Sequence, residues 1–268
     1  QGLVENVQIL SSNLVQNGDF SEEGVQEVSN GSFSQEGVEE ITNGSFDTDS
    51  NWTLGTGWSI GEDKANCDGT QTSNSDIAQG LTTQSGKSYK ITYTISEYTS
   101  GSIFVRLNSG NTTTSQSSVG TFTEYLSGEN GTQISLRANA NFIGSIDNVS
   151  VREVGQDWSL GTGWSIGEDK LNFTNVNGSS NQSGVFVIGK TYKITCDYVF
   201  TSGTRLILPY DGSNFNSDIV INTPSSAIGY TYYYTPLGGN ALFTYSDGNG
   251  NGSITNISVK EVGQNWDL

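Results

Sequence analysis

Apolar and polar residues alternate with a period of two in several short stretches of the chain. In residues 89–96, Tyr89, Ile91 and Tyr93 share one face, while Lys90 and Thr92 share the other. This alternation is typical of a β-strand with one buried face. The same reasoning predicts strands at 103–107, 121–126, 133–138, 144–154, 192–198, 205–208, 230–235, 241–245 and 252–262. No stretch has the spacing of an amphipathic helix, so the predicted fold class is all-β.

The alternation changes parity within the last strand of each half. The break lies between Ile146 and Val149 in the first half and between Ile254 and Ile257 in the second. An extra residue in one strand of an antiparallel pair has this effect. The sequence therefore predicts a β-bulge at both places.

A long repeat divides the chain into modules. Residues 52–64 recur as residues 158–170 with a single change, Thr53 to Ser159, and residues 265–268 match the start of a third copy. A period of about a hundred residues indicates an array of whole domains, because solenoid repeats are about 20–50 residues long. Many short strands in modules of this size predict β-sandwiches. The predicted divisions are 1–46, module 1 at 47–156, module 2 at 157–264 and a truncated repeat at 265–268.

The joint between the modules has no flexible linker. Module 1 continues into module 2 through residues 154–158, Val-Gly-Gln-Asp-Trp, without a Gly/Ser-rich segment. The nearly identical stretches lie on both sides of this joint, whereas the middles of the modules differ. A constant angle between modules, and therefore a rod, is predicted.

A shorter repeat precedes the modules. Asn-Gly-Asp/Ser-Phe occurs at residues 17–20, 30–33 and 43–46, at intervals of 13 residues. Each of the last two units has only three apolar groups, Val25/Val28/Phe33 and Val38/Ile41/Phe46. Such units cannot bury a core alone, so they must pack on one another, on a module or on other chains. We expect an ordered stalk or assembly segment; a flexible acidic leader is the alternative.

Composition excludes several classes of function. The net charge of −17 disfavours binding to nucleic acid and to anionic membranes, and no apolar run approaches the roughly 20 residues of a membrane span. The absence of histidine removes the commonest general base. The adjacent pairs Glu62–Asp63 and Glu168–Asp169 are typical of solvated turns. The chain is predicted not to be an enzyme, to have free Cys67 and Cys196, and to be a fragment of a longer protein.

Four segments carry a resemblance to a known family: residues 43–52, 55–58, 86–93 and 144–151. Together they resemble the carbohydrate-binding-module type of jelly-roll, in particular the tandem copies in tail-fibre and other virion proteins of marine bacteriophages. The resemblance covers both modules. It implies a segment of a fibre on the virion surface, or otherwise extracellular, that serves in host attachment. It also implies homo-oligomers, with a trimer typical of such fibres, and other virion proteins and host-surface glycans as partners.

The resemblance also implies a structural Ca²⁺ between the N-terminal and closing strands of module 1, at Asp47 and Asp147. Module 2 departs from the family pattern, because Thr255 stands where Asp147 stands and the opener Asn-Gly-Ser-Phe is missing. No other cofactor is expected.

Sugar binding requires exposed aromatic rings beside polar groups. The tryptophans of the repeated stretch are expected in the core or at the joint. The candidate carbohydrate-binding residues are therefore on outward strand faces and in divergent loops: Tyr98, Arg106, Tyr125, Arg205, Tyr210, Tyr232, Tyr233 and Tyr234.

The sequence leaves three hypotheses for the function open. The first is a non-enzymatic structural or adhesive fibre segment, which includes the possibility of a spacer without a ligand. The second is a bacterial surface adhesin or extracellular filament. The third is the accessory carbohydrate-binding region of a polysaccharide-degrading enzyme.

Overall fold

A computed structural model of the chain describes residues 22–107, 110–210 and 220–264. The described residues form strands, turns and loops, and none of them forms a helix. Accordingly, no helix in this part of the chain is long and apolar enough to cross a membrane. The prediction of an all-β chain of tandem β-sandwich modules is confirmed.

Module 1 is a sandwich of two antiparallel sheets. The strands up to its end are β1 (Glu23–Gln26), β2 (Glu36–Glu39), β3 (Thr53–Leu54), β4 (Trp58–Gly61), β5 (Lys64–Cys67), β6 (Ser75–Gly80), β7 (Ser88–Ser100), β8 (Ile103–Leu107), β9 (Asn111–Thr112), β10 (Gly120–Ser127), β11 (Gln133–Ala138) and β12 (Ile143–Val154). One sheet has the order β10-β7-β12-β5-β4, with β2 added on β12, and the other has the order β3-β6-β11-β8-β9. The strand β1 belongs to neither sheet.

The core of module 1 lies between these two sheets. Tyr89, Ile91 and Tyr93 of β7 are buried on its inner face, and they share one hydrophobic cluster with Val105 and Leu136 of the opposite sheet. The polar residues that alternate with them on β7 lie on the outer face. The predicted alternation is therefore confirmed, and it places each sheet with one face toward the core.

Module 2 also has two layers, but two of its strands are long enough to pass from one layer to the other. Its strands are β13 (Trp164–Gly167), β14 (Lys170–Gln182), β15 (Thr191–Ser202), β16 (Arg205–Tyr210), β17 (Val220–Ile221), β18 (Ser225–Tyr234) and β19 (Leu242–Val262). The main path is β13-β14-β19-β15-β18, and β16 pairs with the first part of β19. The strand β1 pairs with the last part of β19.

A bulge interrupts the last strand of each module. The register between β12 and β7 shifts after Asp147, and the register between β19 and β15 shifts after Thr255. The residues at the two shifts, Asn148 and Asn256, both have a φ of 53°. Asparagine adopts this left-handed conformation more readily than most residues. Both predicted bulges are confirmed.

The tryptophans and cysteines also lie where the sequence predicts them. Trp52, Trp58, Trp158 and Trp164 are buried in the cores. Cys67 and Cys196 are free and buried. Burial raises the pKa of the Cys196 thiol to about 12, so that this side chain stays neutral like the apolar residues around it.

The modules meet at an apolar, hydrogen-bonded joint. Val154, at the end of β12, packs into the core cluster of module 2. The backbone N–H of Ile166 donates to Ser88 Oγ at 3.0 Å. Gly155 has a φ of 71°, and a Cβ there would lie 1.9 Å from Cδ1 of Ile166. The ring of Tyr125 lies against Gly167. Both modules therefore contribute side chains to one interface.

Candidate functional site: the strand-donor grooves and the module boundary

The two N-terminal units that the structure describes bind different modules, in reverse order along the chain. We call residues 24–33 donor 2, because its strand β1 pairs with β19 of module 2. We call residues 37–46 donor 1, because the adjoining strand β2 pairs with β12 of module 1. Each donor lies along the bulged last strand of its module and adds a strand to that sheet.

Donor 2 is held to module 2 mainly by backbone hydrogen bonds. The side chain of buried Gln182 bonds both backbone groups of Ser29, accepting at 2.7 Å and donating at 2.9 Å. The N–H of Ile257 donates to the carbonyl of Gly31 at 2.9 Å, and the N–H of Glu27 donates to the carbonyl of Val259 at 2.9 Å. In all of these hydrogen bonds the donor contributes only main-chain atoms, so the bonds fix the path of its backbone. Ser29 contributes no side-chain atom to them.

Donor 1 repeats these contacts on module 1. Gln79 bonds both backbone groups of Thr42 at 2.8 Å. The N–H of Val149 donates to the carbonyl of Gly44 at 2.8 Å, and the N–H of Glu40 donates to the carbonyl of Val151 at 2.9 Å. The two grooves are thus chemically equivalent.

The phenylalanine that is repeated in each donor completes a module core. Phe33 is 1% exposed and packs on Trp158, with ring centroids 5.1 Å apart. Phe46 is also 1% exposed and packs on Trp52 at 5.2 Å. Val28 and Ile41 are buried beside them. Fully burying such side chains contributes about 1.5–3 kcal/mol each.

The backbone conformation of the donors explains why the Asn-Gly-Ser-Phe motif recurs. Asn30 and Phe33 both have positive φ, 45° and 60°, and the carbonyl of Asn30 accepts from the N–H of Phe33. A Cβ on Gly31 would lie 2.0 Å from the carbonyl oxygen of Ile257. Only glycine allows this close approach. The same conformation recurs at 43–46, where a Cβ on Gly44 would lie 1.9 Å from the carbonyl oxygen of Val149.

Salt bridges hold the outer end of each donor strand. Glu23 pairs with Lys193 at 2.5 Å and with Lys260 at 3.0 Å. These partners, Lys193 first, lower the pKa of Glu23 below its ordinary value of 4.5. The equivalent residue just before donor 1, Glu36, pairs with Lys90 at 2.5 Å.

The segment predicted as a stalk packs, over its described residues, into the two modules. Its apolar groups divide into two sets: Val28, Phe33, Ile41 and Phe46 are buried, whereas Val25 and Val38 are about three-quarters exposed, at 76% and 75%. Val25 and Val38 therefore do not pack in a core, although the sequence predicted that all three apolar groups of each unit would pack together. The first unit, residues 17–20, lies outside the described residues.

The carbohydrate-binding candidates of module 1 lie in three separate places. Tyr98 is half-buried, and its hydroxyl donates to the carbonyl of Gly101 at 3.1 Å. Arg106 lies on the outer face of β8 and bonds Ser135 Oγ and Asp76 Oδ2, both at 2.8 Å. Tyr125 is at the module joint, as described above. The structure does not bring these three side chains together.

Asp76 lies between two arginines on the outer face of module 1. Arg137 and Arg106 both bond its carboxylate. Burial alone would raise the pKa of Asp76, but the two arginines outweigh it and lower this pKa below its ordinary value. Sequence reasoning missed Asp76 and Arg137, although their alternation on β6 and β11 places them on outward faces.

The candidates of module 2 are also divided between core and surface. Tyr232 and Tyr234 are buried at 7% and 6% exposure, so neither ring is available to stack on a sugar. They share the inner face of β18, while Tyr233 points outward and is 63% exposed. Arg205 pairs with Asp247. For Tyr210 only the backbone, in β16, is described, and its side chain lies outside the described residues.

A polar cleft of about 330 Å³ opens at the module boundary. Tyr125, Glu124 and Ser127 line it from module 1, and Glu168, Ser165 and Asn172 line it from module 2. Glu168 lies in the turn after β13 with a φ of 55°. This cleft combines an aromatic ring with carboxylate, hydroxyl and amide groups. Ligand sites occur preferentially at such domain boundaries.

The predicted calcium ligands are each bonded within their own loops. Asp147 accepts from the backbone and side-chain N–H groups of Asn148 at 2.6 and 3.0 Å, and Asp47 accepts from Ser45 Oγ at 2.9 Å. In module 2 the hydroxyl of Thr255 donates to the carbonyl of Asp169 at 2.7 Å. Among the described residues no group of three or more His, Cys, Asp or Glu side chains could hold a metal. The calcium site stays a prediction.

Comparisons with known proteins add a weak structural similarity. The sequence matches no family model. It matches no curated protein either. Among solved structures, the chain is similar to the N-terminal CBM22-1–CBM22-2 tandem domain of Xyn10C from Paenibacillus barcinonensis, with a TM-score of 0.34 and 11% identity over 85% of this chain and 99% of that one. The function is therefore argued from the residues of this chain.

Proposed function

We propose that the chain is a non-catalytic structural segment of an extracellular fibre or virion appendage. Its role is to hold successive β-sandwich modules in one fixed arrangement. The observation that carries this proposal is the path of residues 22–46, which complete module 2 and then module 1 before the chain enters module 1 itself. The two modules are thus connected twice, once through the joint at Gly155 and once through the paired donors.

The two connections restrict how the modules can move relative to each other. A single connection without contacts would leave two domains free to reorient. Here Phe33, in the core of module 2, is separated from donor 1 on module 1 by residues 34–36 only. Val154 and Tyr125 pack across the joint in addition. Rotation of one module against the other would break contacts in both places.

Electron-spin distance measurements test this proposal. Spin labels on Ser59→Cys in module 1 and Ser226→Cys in module 2 use two exposed positions, and the buried native cysteines stay unlabelled. We expect a distance distribution as narrow as that of the control pair Ser59→Cys and Thr121→Cys, which lies within module 1. A distribution much broader than the control would overturn the proposal.

A second candidate function, glycan binding, is favoured by the cleft at the module boundary. Sugars are bound by aromatic rings together with carboxylate and amide groups that hydrogen-bond to their hydroxyls, and Tyr125, Glu168 and Asn172 bring such groups to one place. In this hypothesis the glycan binds between the two modules. It does not use the separate faces of Arg106 and Arg205, whose guanidinium groups are paired with Asp76 and Asp247.

A screen of the intact protein against an array of cell-surface glycans tests the second function. Any glycan bound in the cleft should be bound at least tenfold more weakly by Glu168→Asn, because asparagine keeps the positive φ but removes the carboxylate. The matched control is Glu62→Asn, since Glu62 occupies the same turn of module 1 with a φ of 57° and is exposed. Equal binding by both variants, or no binding by the folded protein, would contradict a glycan site in this cleft.

A further inference from the structure

The far end of module 2 repeats the surface with which module 1 binds module 2. Tyr233 is equivalent to Tyr125, because each pairs with the corresponding lysine of the neighbouring strand, Lys193 or Lys90. By the same register Val262 is equivalent to Val154, and Gly263 is equivalent to Gly155. One half of the module joint is therefore present a second time.

This second half-joint is more exposed than the first. Tyr125 packs against Gly167, whereas Tyr233 is 63% exposed. Val154 is 4% exposed in the core of module 2, whereas Val262 is only partly buried. The difference arises because a module covers the first surface, and none of the described residues covers the second in that way.

The sequence that follows this surface matches the start of module 2. Residues 263–268, Gly-Gln-Asn-Trp-Asp-Leu, repeat residues 155–160, Gly-Gln-Asp-Trp-Ser-Leu. In module 2 this stretch supplies Trp158, the aromatic partner of Phe33. Trp266 is the sequence equivalent of Trp158.

Residues 11–20 have the sequence of such a donor. Val15, Asn17, Gly18 and Phe20 stand at the spacing of Val28, Asn30, Gly31 and Phe33. Within residues 15–20 the two sequences differ at positions whose side chains do not contact the groove. Gln16 replaces Ser29, which bonds only through its backbone, and Asp19 replaces Ser32, which is exposed.

We infer that the Tyr233 surface binds a third module of the same kind, opened by Gly263–Leu268, and that residues 11–20 are its strand donor. The donors are then ordered outward from module 1: residues 37–46 complete module 1, residues 24–33 complete module 2, and residues 11–20 complete module 3. The grooves of modules 1 and 2 are already occupied, so the third copy of the motif has no groove among the described residues.

An extended chain tests this inference. Residues 161–262 are added after Leu268, so that Trp266-Asp-Leu268 continues into a copy of module 2 that has no donor of its own. Hydrogen exchange should show the added module protected, and Phe20→Ala should speed its exchange at least tenfold. The matched control is Phe20→Ala in the original chain, which should leave modules 1 and 2 unchanged.

Acetylation of exposed tyrosines gives a second readout. Tyr233 should react with N-acetylimidazole in the original chain and be protected in the extended one. An added module that is equally protected with Phe20→Ala, or that stays unprotected with Phe20 intact, would overturn the inference. Concentration-dependent dimers of the original chain that Phe20→Ala abolishes would place the acceptor on a second copy, and would also overturn it.

Discussion

Phe33 packs on Trp158 with ring centroids 5.1 Å apart, although the whole of module 1 lies between them in sequence. Phe46 packs on Trp52 in the same way, at 5.2 Å, within module 1. The two contacts show that one short motif completes two separate cores. They also allow each core to be disturbed independently.

Replacing either phenylalanine should destabilise a single module. We expect Phe33→Ala to lower the free energy of unfolding of module 2 by about 3–5 kcal/mol, and Phe46→Ala to do the same for module 1, because a large buried side chain is lost and a cavity remains. Hydrogen exchange resolved by peptide measures each module separately. Val25→Ala is the control, with an expected change within about 0.5 kcal/mol, since Val25 is 76% exposed. Loss of both modules in either variant would contradict independent cores.

Gly155→Ala should disturb the joint between the modules. Its φ of 71° is unfavourable for alanine, and the new Cβ would lie 1.9 Å from Cδ1 of Ile166. We expect a lower melting temperature, corresponding to more than about 1 kcal/mol, and a changed solution-scattering profile. Gly61→Ala is the matched control, because a Cβ there meets nothing within 4 Å. Equal profiles for both variants would show that Ile166 can move aside without cost.

Acid should loosen the outer end of donor 2. The hydrogen bonds of Glu23 with Lys193 and Lys260 lower its pKa in the folded protein below 4.5. The unfolded state therefore binds more protons as the pH falls, and the stabilisation by Glu23, present above about pH 4.5, is lost as the pH falls through the folded pKa. The protection factors of residues 23–26 in hydrogen exchange, which are corrected for the slower intrinsic exchange at lower pH, should fall between pH 5 and pH 3.

Other carboxylates titrate in the same range, so the control is a variant. In Glu23→Gln, part of this loss of protection should already be present at pH 6, and the protection factors should change less with pH. An identical pH dependence in the variant would assign the effect to other groups.

The buried thiols should be unreactive in the native protein. Burial raises the pKa of Cys196 to about 12 and also raises that of Cys67, and the thiolate is the reactive form. We expect almost no reaction with Ellman's reagent at pH 8 until guanidinium unfolds the chain, when both cysteines react. Rapid reaction without denaturant would mean that the modules open readily.

Calcium, if it binds module 1, should stabilise the protein through Asp147. Calcium takes carboxylate and carbonyl oxygens as ligands, and a ligand that binds only the folded state raises the melting temperature. We expect added Ca²⁺ to raise it and EDTA to lower it in the wild type, with no response in Asp147→Asn. A melting temperature that ignores both Ca²⁺ and EDTA in the wild type would exclude the predicted site.

The sequence by itself determined the strands that alternate with a period of two, the module repeat, the bulges at Asn148 and Asn256, and the burial of the repeated tryptophans. These features are local, because a period of two reports a buried face and a change of parity reports an inserted residue. It also indicated that Val28, Phe33, Ile41 and Phe46 must be buried somewhere, since such units cannot form a core alone.

Only the tertiary structure decided which module each donor completes and which tyrosines face solvent. Tyr232, Tyr233 and Tyr234 alternate in any strand, but the pairing of β18 with β15 decides that Tyr233 is the outward one. Tyr125 and Tyr233 occupy equivalent positions, yet only Tyr125 is covered, by Gly167. These outcomes depend on contacts between distant parts of the chain, and local periodicity carries no information about them.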